Sequence, residues 1–238
     1  MNLLPACPVP GTHSPPGSPT IPITANFGLI SRPMSYYIRI LGTQDPDIHL
    51  DQILEALEEE GLVARFGVLE DERPESWTSF ELMNEEEEVL ALVERNPVVD
   101  GNLGQEELAE FKESILEFKP LSAAKWLHSF FDKVKVIYAF ELLDAGVEAE
   151  NYPIVIATQS AIWQKVKGIL QADDEGFSNE EGYHILWQFS DDVEGPWQCA
   201  VLEKDGSWKN FTMQLGDAAS QEAFKRGEVP ANTGKSLE

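Results

Sequence analysis

This chain has few residues suited to redox, metal or membrane chemistry. Of its 238 residues, two are cysteine and four are histidine. Cys7 and Cys199 make no disulfide framework, so a reducing, cytoplasmic setting is expected. His13, His49, His128 and His184 show neither H-x-x-x-H nor H-E-x-x-H spacing, and C-x-x-C is missing too, so no zinc site is expected. No apolar run approaches the ~20 residues that cross a bilayer, and no membrane association is expected.

The motifs of common chemistries are missing as well. There is no G-x-S-x-G for a nucleophile, and Cys199, between Gln198 and Ala200, reads as a small packed strand residue. Neither G-x-G-x-x-G nor G-x-x-x-x-G-K-[ST] occurs, so no nucleotide cofactor is expected; Thr233-Gly-Lys-Ser236 lacks the first glycine and a preceding strand. Calcium loops fail in the same way, since Asp173-Asp-Glu175-Gly176 puts Phe177 where an oxygen donor belongs.

Positive charge is the scarcest property. Lysine and arginine number 17 against 42 aspartates and glutamates, a net charge of −25. Residues 34 to 119 hold 23 acidic and 6 basic residues, so that stretch alone carries −17. Such a field repels phosphate backbones and anionic membranes and attracts basic partners. A basic protein or peptide is therefore the expected partner, and nucleic acid is not.

The first 33 residues contain eight of the 15 prolines, no acidic residue and one arginine. That composition predicts a disordered, polyproline-like tail. Met34 precedes the first convincing strand and is a candidate translation start. The rest reads as an α+β chain: an acidic half over 34–120, a second half over 121–228 and a flexible tail over 229–238. The order of elements in the two halves is alike. Mixed or antiparallel sheets with helices packed on one face are expected.

In the first half, Tyr36–Leu41 is a strand, Leu50, Ile53, Leu54 and Leu57 mark an amphipathic helix, and 62–70 and 77–83 are strands. Asn84 with Glu85, Glu86, Glu87 and Glu88 reads as a capping box and acidic first turn for a helix through Val-Leu-Ala-Leu-Val93. Two further helices carry Leu108, Phe111, Ile115 and Phe118, then Trp126, Leu127, Phe130 and Phe131. A strand is expected from Lys135, a helix from Pro153 to Leu170, and an acidic loop over 173–182.

The clearest local signal lies in the second half. Tyr183–Phe189 alternates, and 197–203 and 208–215 flank Lys204-Asp205-Gly206-Ser207, so a three-stranded antiparallel meander is expected. A two-residue Asp205-Gly206 turn sets Leu202 opposite Lys209, Ala200 opposite Phe211 and Gln198 opposite Met213. It sets Glu203 opposite Trp208 and Trp197 opposite Gln214, which brings Trp197 and Trp208 to one face. With Trp187 alongside and Asp191, Asp192, Glu194 and Glu203 around them, they form a candidate aromatic and acidic docking surface, with Glu85–Glu88 as a second acidic patch.

The reading that follows is a binding module, without catalysis, that engages and neutralises a basic partner. The alternative is a carboxylate-based enzyme, assisted by a divalent cation, with its site between the halves.

Overall fold

The computed structural model describes residues 36–69, 72–190, 193–231 and 233. The proline-rich tail, Met34, Asp191, Asp192 and residues 234–238 lie outside them. The fold is α+β, built on a single ten-stranded sheet in the order β10-β9-β8-β7-β6-β1-β5-β4-β3-β2.

The central strand is β1 (Tyr36–Gly42), which pairs antiparallel with β5 (Val136–Leu142) on one side and β6 (Gly168–Ala172) on the other. The sheet thus runs without a break across the division at residue 120. Every residue of β5 except Glu141 is buried, as expected of a strand covered on both faces. The cover comes from helices on both faces, which corrects the expectation of one. Ile38, Ile40, Tyr138 and Phe140 face a core formed with α1 (Leu50–Glu59) and α4 (Tyr152–Val166). Leu41 and Ile137 face a second core with α2 (Leu103–Ser114) and α3 (Leu121–Phe130).

Residues 36–97 form a β-α-β-β-β unit: β1, α1, β2 (Arg65–Val68), β3 (Ser79–Met83) and β4 (Val89–Pro97). Residues 136–187 repeat that order with β5, α4, β6, β7 (Gly176–Ser178) and β8 (His184–Trp187). The strand β4 stands where the capping-box pattern of Asn84 to Glu88 indicates a helix. Asn84 N–H donates to the Glu88 carbonyl at 3.2 Å and Glu87 N–H to the Asn84 carbonyl at 3.2 Å, closing a hairpin turn with Glu87 at φ 67°. Asn84 Oδ1 accepts from Glu88 N–H at 2.9 Å, so the polar run caps a turn, not a helix. The apolar run after it has no period because most of its residues are buried between two layers.

The α4 helix stops at Val166, four residues short of expectation. Lys167 takes a left-handed φ of 52°, and a Cβ on Gly168 would lie 2.0 Å from the Leu41 carbonyl oxygen, so the chain leaves the helix directly into β6 against β1. The 173–182 stretch contains β7, which pairs with both β6 and β8.

The last hairpin, β9 (Pro196–Leu202) with β10 (Trp208–Gln214), forms as expected, but its register differs by one: Trp208 faces Leu202 and Phe211 faces Cys199. The loop has three residues, with Gly206 N–H donating to the Glu203 carbonyl at 3.1 Å and Gly206 at φ 87°, a type I turn followed by a left-handed residue. In addition β8 runs parallel to β9, joined through His184 and Cys199, so the three strands are not a meander. The α5 helix (Ala218–Lys225) closes a third core of Trp187, Phe189, Cys199, Phe211 and Met213 through Phe224.

Candidate functional site

The shifted register separates the tryptophans. A one-residue slip moves every side chain of one strand to the other face relative to its partner. Trp197 packs with the α5 core, 5.3 Å from the Phe189 ring, and Trp187 is buried in the same core with Lys225 Nζ 4.8 Å above its ring. Trp208 lies on the opposite face against Trp126 of α3, ring centroids 5.1 Å apart. Glu194 is exposed, Glu203 is exposed and lies 3.8 Å from Lys209 Nζ, and Asp191 and Asp192 fall outside the described residues. The structure therefore brings Trp187 and Trp197 together and leaves Trp208 apart. Glu85, Glu86, Glu87 and Glu88 are exposed at the β3–β4 turn, where Glu87 pairs with Arg65.

The more unusual chemistry lies in a cavity of about 60 Å³ between α4 and strands β1 and β6–β9. The turn Asp173–Glu175, with Asp174 at φ 59°, sends two carboxylates to opposite faces of the sheet. Asp173 meets Arg39, Oδ1 to Nη1 2.6 Å, on the α2 side, where Glu107 binds the same guanidinium. Glu175 turns to the α4 side and lines the cavity, its Oε1 accepting from the Tyr36 hydroxyl at 2.8 Å. Burial raises the Glu175 carboxyl to about 7; the Tyr36 hydrogen bond opposes that shift and the Asp174 charge adds to it.

The floor is His184 and Gln159, with 3% and 1% of their surface exposed. Burial depresses the imidazole to about 3, against a hydrogen bond to the Leu186 backbone that favours its charged form. His184 is therefore neutral, and His184 Nε2 and Gln159 Nε2 have no hydrogen-bond partner among the described residues. Gly176, at φ 122°, makes room for the ring: a Cβ there would stand 3.3 Å from His184 Cε1 and 2.3 Å from the Leu186 carbonyl oxygen. Tyr36, Tyr152, Ile156 and Trp197, all half-buried, form the rim, and burial lifts the Tyr152 hydroxyl to about 12.

No family model, curated protein or solved structure matches this chain. Its chemistry has to be read from its own side chains.

Two other surfaces stand out. A shallow groove of about 950 Å³ at the C-terminal end of α4 is lined by Lys133, Lys165 and Lys167, with Glu180 and Glu181 among them. The lysines of α4 and its cap suit the negative pole of the helix. On α1 the outward residues Asp51, Glu55, Glu58 and Glu59 form an exposed ridge, and the helix carries no basic residue. Among the described residues no three His, Cys, Asp or Glu side chains converge as metal ligands, and no helix is long and apolar enough to cross a membrane.

The sequence contains Glu175 and His184 but gives no sign that they line one cavity. Glu175 stands in an acidic run and His184 in an alternating strand, and both patterns have commonplace explanations. What joins them is strand order, which local periodicity does not encode.

Proposed function

We infer that this chain is a binding protein for a positively charged protein or peptide, engaged through the acidic outer face of α1. One observation carries the reading. Glu58 and Glu59 occupy the last turn of α1 and Glu60 its C-cap, with no basic residue in that turn. The C-terminal pole of a helix is negative, so each carboxylate there costs about 0.3–1 kcal/mol, and Asp51, Glu55 and Glu59 add like-charge i,i+4 repulsion of a few tenths. Charge that works against its own helix and points to solvent fits attraction of a cationic surface. Direct nucleic-acid binding is disfavoured by the same field.

The test uses the full chain and a lysine-rich peptide as probe. Binding is expected to weaken steeply between low and physiological salt and to fall about tenfold or more in a Glu55→Gln, Glu58→Gln, Glu59→Gln variant. Binding that ignores salt, or that the triple variant retains in full, overturns the reading.

A second reading, an enzyme that works through a carboxyl group, has one observation in its favour: Glu175, which lines the same cavity as the neutral His184, has its carboxyl raised to about 7, the range in which a carboxyl group exchanges protons effectively. It is separated from the first by Glu175→Gln, which should leave binding of the lysine-rich peptide unchanged.

A further inference from the structure

The cavity between α4 and β6–β8 is lined by His184, Gln159 and Glu175, polar side chains of different character. His184 uses one ring nitrogen toward the Leu186 carbonyl. A carbonyl only accepts, so that nitrogen carries the proton and Nε2 presents a bare lone pair. Gln159 presents N–H donors with no partner among the described residues. Glu175 presents a carboxyl whose Oε1 already accepts from Tyr36.

His184 Nε2 and Gln159 Nε2, buried with no partner among the described residues, are costly to leave unpaired. A group that pairs both and also bonds the Glu175 carboxyl must accept once and donate twice within a few heavy atoms, because the cavity measures only about 60 Å³. A carboxylate ligand has no proton to give to the His184 lone pair or the Glu175 carboxyl. An alkylammonium would satisfy those two and leave the Gln159 N–H facing a cation. A hydroxyl has one proton to give.

We propose that this cavity binds a primary carboxamide, its carbonyl accepting from Gln159 Nε2 and its two N–H groups donating to His184 Nε2 and the Glu175 carboxyl. The rim supports such a head group. Tyr152, Ile156 and Trp197 offer apolar surface to the carbon stem, and they are half-exposed, so the stem can lead outward. The carboxamide belongs either to a small free molecule or to the side chain of an asparagine or glutamine in another protein.

The experiment is a titration of the full chain with propionamide, propylammonium and propionate, read by thermal shift and by the ¹⁵N resonance of His184 Nε2. Propionamide should raise the melting temperature and move that resonance; the cation and the anion should do neither. Gln159→Leu should weaken the amide response about tenfold while leaving the free protein as stable as the parent or more so, because it deletes a buried donor that lacks a partner. If Gln159→Leu fails to fold, Gln159→Met serves, and the wild-type resonance decides independently. A capped Gly-Gln-Gly peptide locates the source: a stronger response than to propionamide assigns the carboxamide to a protein side chain, and an equal one assigns it to a free molecule. Propylammonium or propionate acting as well as propionamide, or no probe moving the His184 resonance, overturns the proposal.

Discussion

The Tyr36 hydroxyl donates to Glu175 Oε1 at 2.8 Å, joining residues 139 positions apart at the edge of a half-enclosed cavity. Tyr36 opens β1 and Glu175 closes the turn after β6, so the bond exists because β6 pairs with β1.

Glu175 should make stability depend on pH. Its carboxyl sits at about 7 when folded, against the ordinary value near 4.5 of an unfolded chain, and Tyr36, Tyr152 and Asp174 are the titratable groups around it. The folded state therefore holds a proton that the unfolded state has released, and stability from this group is present below pH 4.5 and lost as pH rises through 7. Glu175→Gln keeps an acceptor for Tyr36 and removes the titration. It should match the parent at pH 4 and exceed it at pH 8 by on the order of 1–2 kcal/mol in urea unfolding. An advantage that does not change with pH would contradict the assignment.

His184 should set an acid limit of the opposite sign. Its imidazole is held at about 3 when folded, so stability from this group is present above pH 6.5 and lost as pH falls toward 3. The ring lies between Phe189 and Phe224, with centroids 4.7 and 6.1 Å away, and phenylalanine can occupy the same space. Relative to the parent, His184→Phe should gain up to about 1.4 kcal/mol for each pH unit lowered below 6. Equal acid midpoints for the two proteins would rule out a buried neutral histidine.

The sequence makes the α+β class legible, because strands such as Tyr36–Leu41 and helices such as Leu50–Leu57 carry distinct periods. Where two layers bury a segment, the period vanishes: nothing in the apolar run of β4 opposes the helix that Asn84 to Glu88 suggest as a capping box, and β6 disappears into the end of α4. The last hairpin shows a subtler failure. Asp205-Gly206 announces a turn, but Gly206 supplies its left-handed residue at the third loop position, not the second, and that one residue sends Trp197 and Trp208 to opposite faces. The cavity is illegible for a different reason, since Tyr36, Gln159, Glu175 and His184 come from four elements whose meeting depends on topology.

Arg39 anchors the opposite side of the same turn. Its guanidinium bonds Glu107, Gln171 Oε1 at 2.8 Å and Asp173 Oδ1 at 2.6 Å, and lies 4.9 Å from the Tyr37 ring centroid. Arg39→Met strands two half-buried carboxylates and should cost about 3 kcal/mol. Arg39→Lys should recover only part of that, because an ammonium lacks the fork that reaches three partners. Adding Asp173→Asn to Arg39→Met should restore stability measurably, and strict additivity of the two substitutions would show that the pair does not interact.

Two hairpin loops offer a matched comparison of backbone strain. In the loop closed by Glu203 and Ser207, Glu203 N–H reaches the Ser207 carbonyl at 2.9 Å and the left-handed position is Gly206, at φ 87°. In the loop closed by Asn84 and Glu88, Asn84 N–H reaches the Glu88 carbonyl at 3.2 Å and the same position is Glu87, at φ 67°. A side chain in that region costs about 1 kcal/mol that glycine avoids. Among the described residues Glu87→Gly gives up the ion pair with Arg65, whose side chains are 52% and 68% exposed, and such pairs contribute between nothing and about 1 kcal/mol. Glu87→Gly should therefore be neutral to stabilising by up to about 1 kcal/mol, and more clearly stabilising at high salt, where the ion pair is screened. The reciprocal change has no steric component, since nothing lies within 4 Å of a Cβ placed on Gly206, so Gly206→Ala should lose about 1 kcal/mol from conformation alone. Thermal unfolding of both variants at low and high salt tests the pair, and destabilisation by Glu87→Gly at both salt concentrations would show that the left-handed backbone of this loop is not under strain.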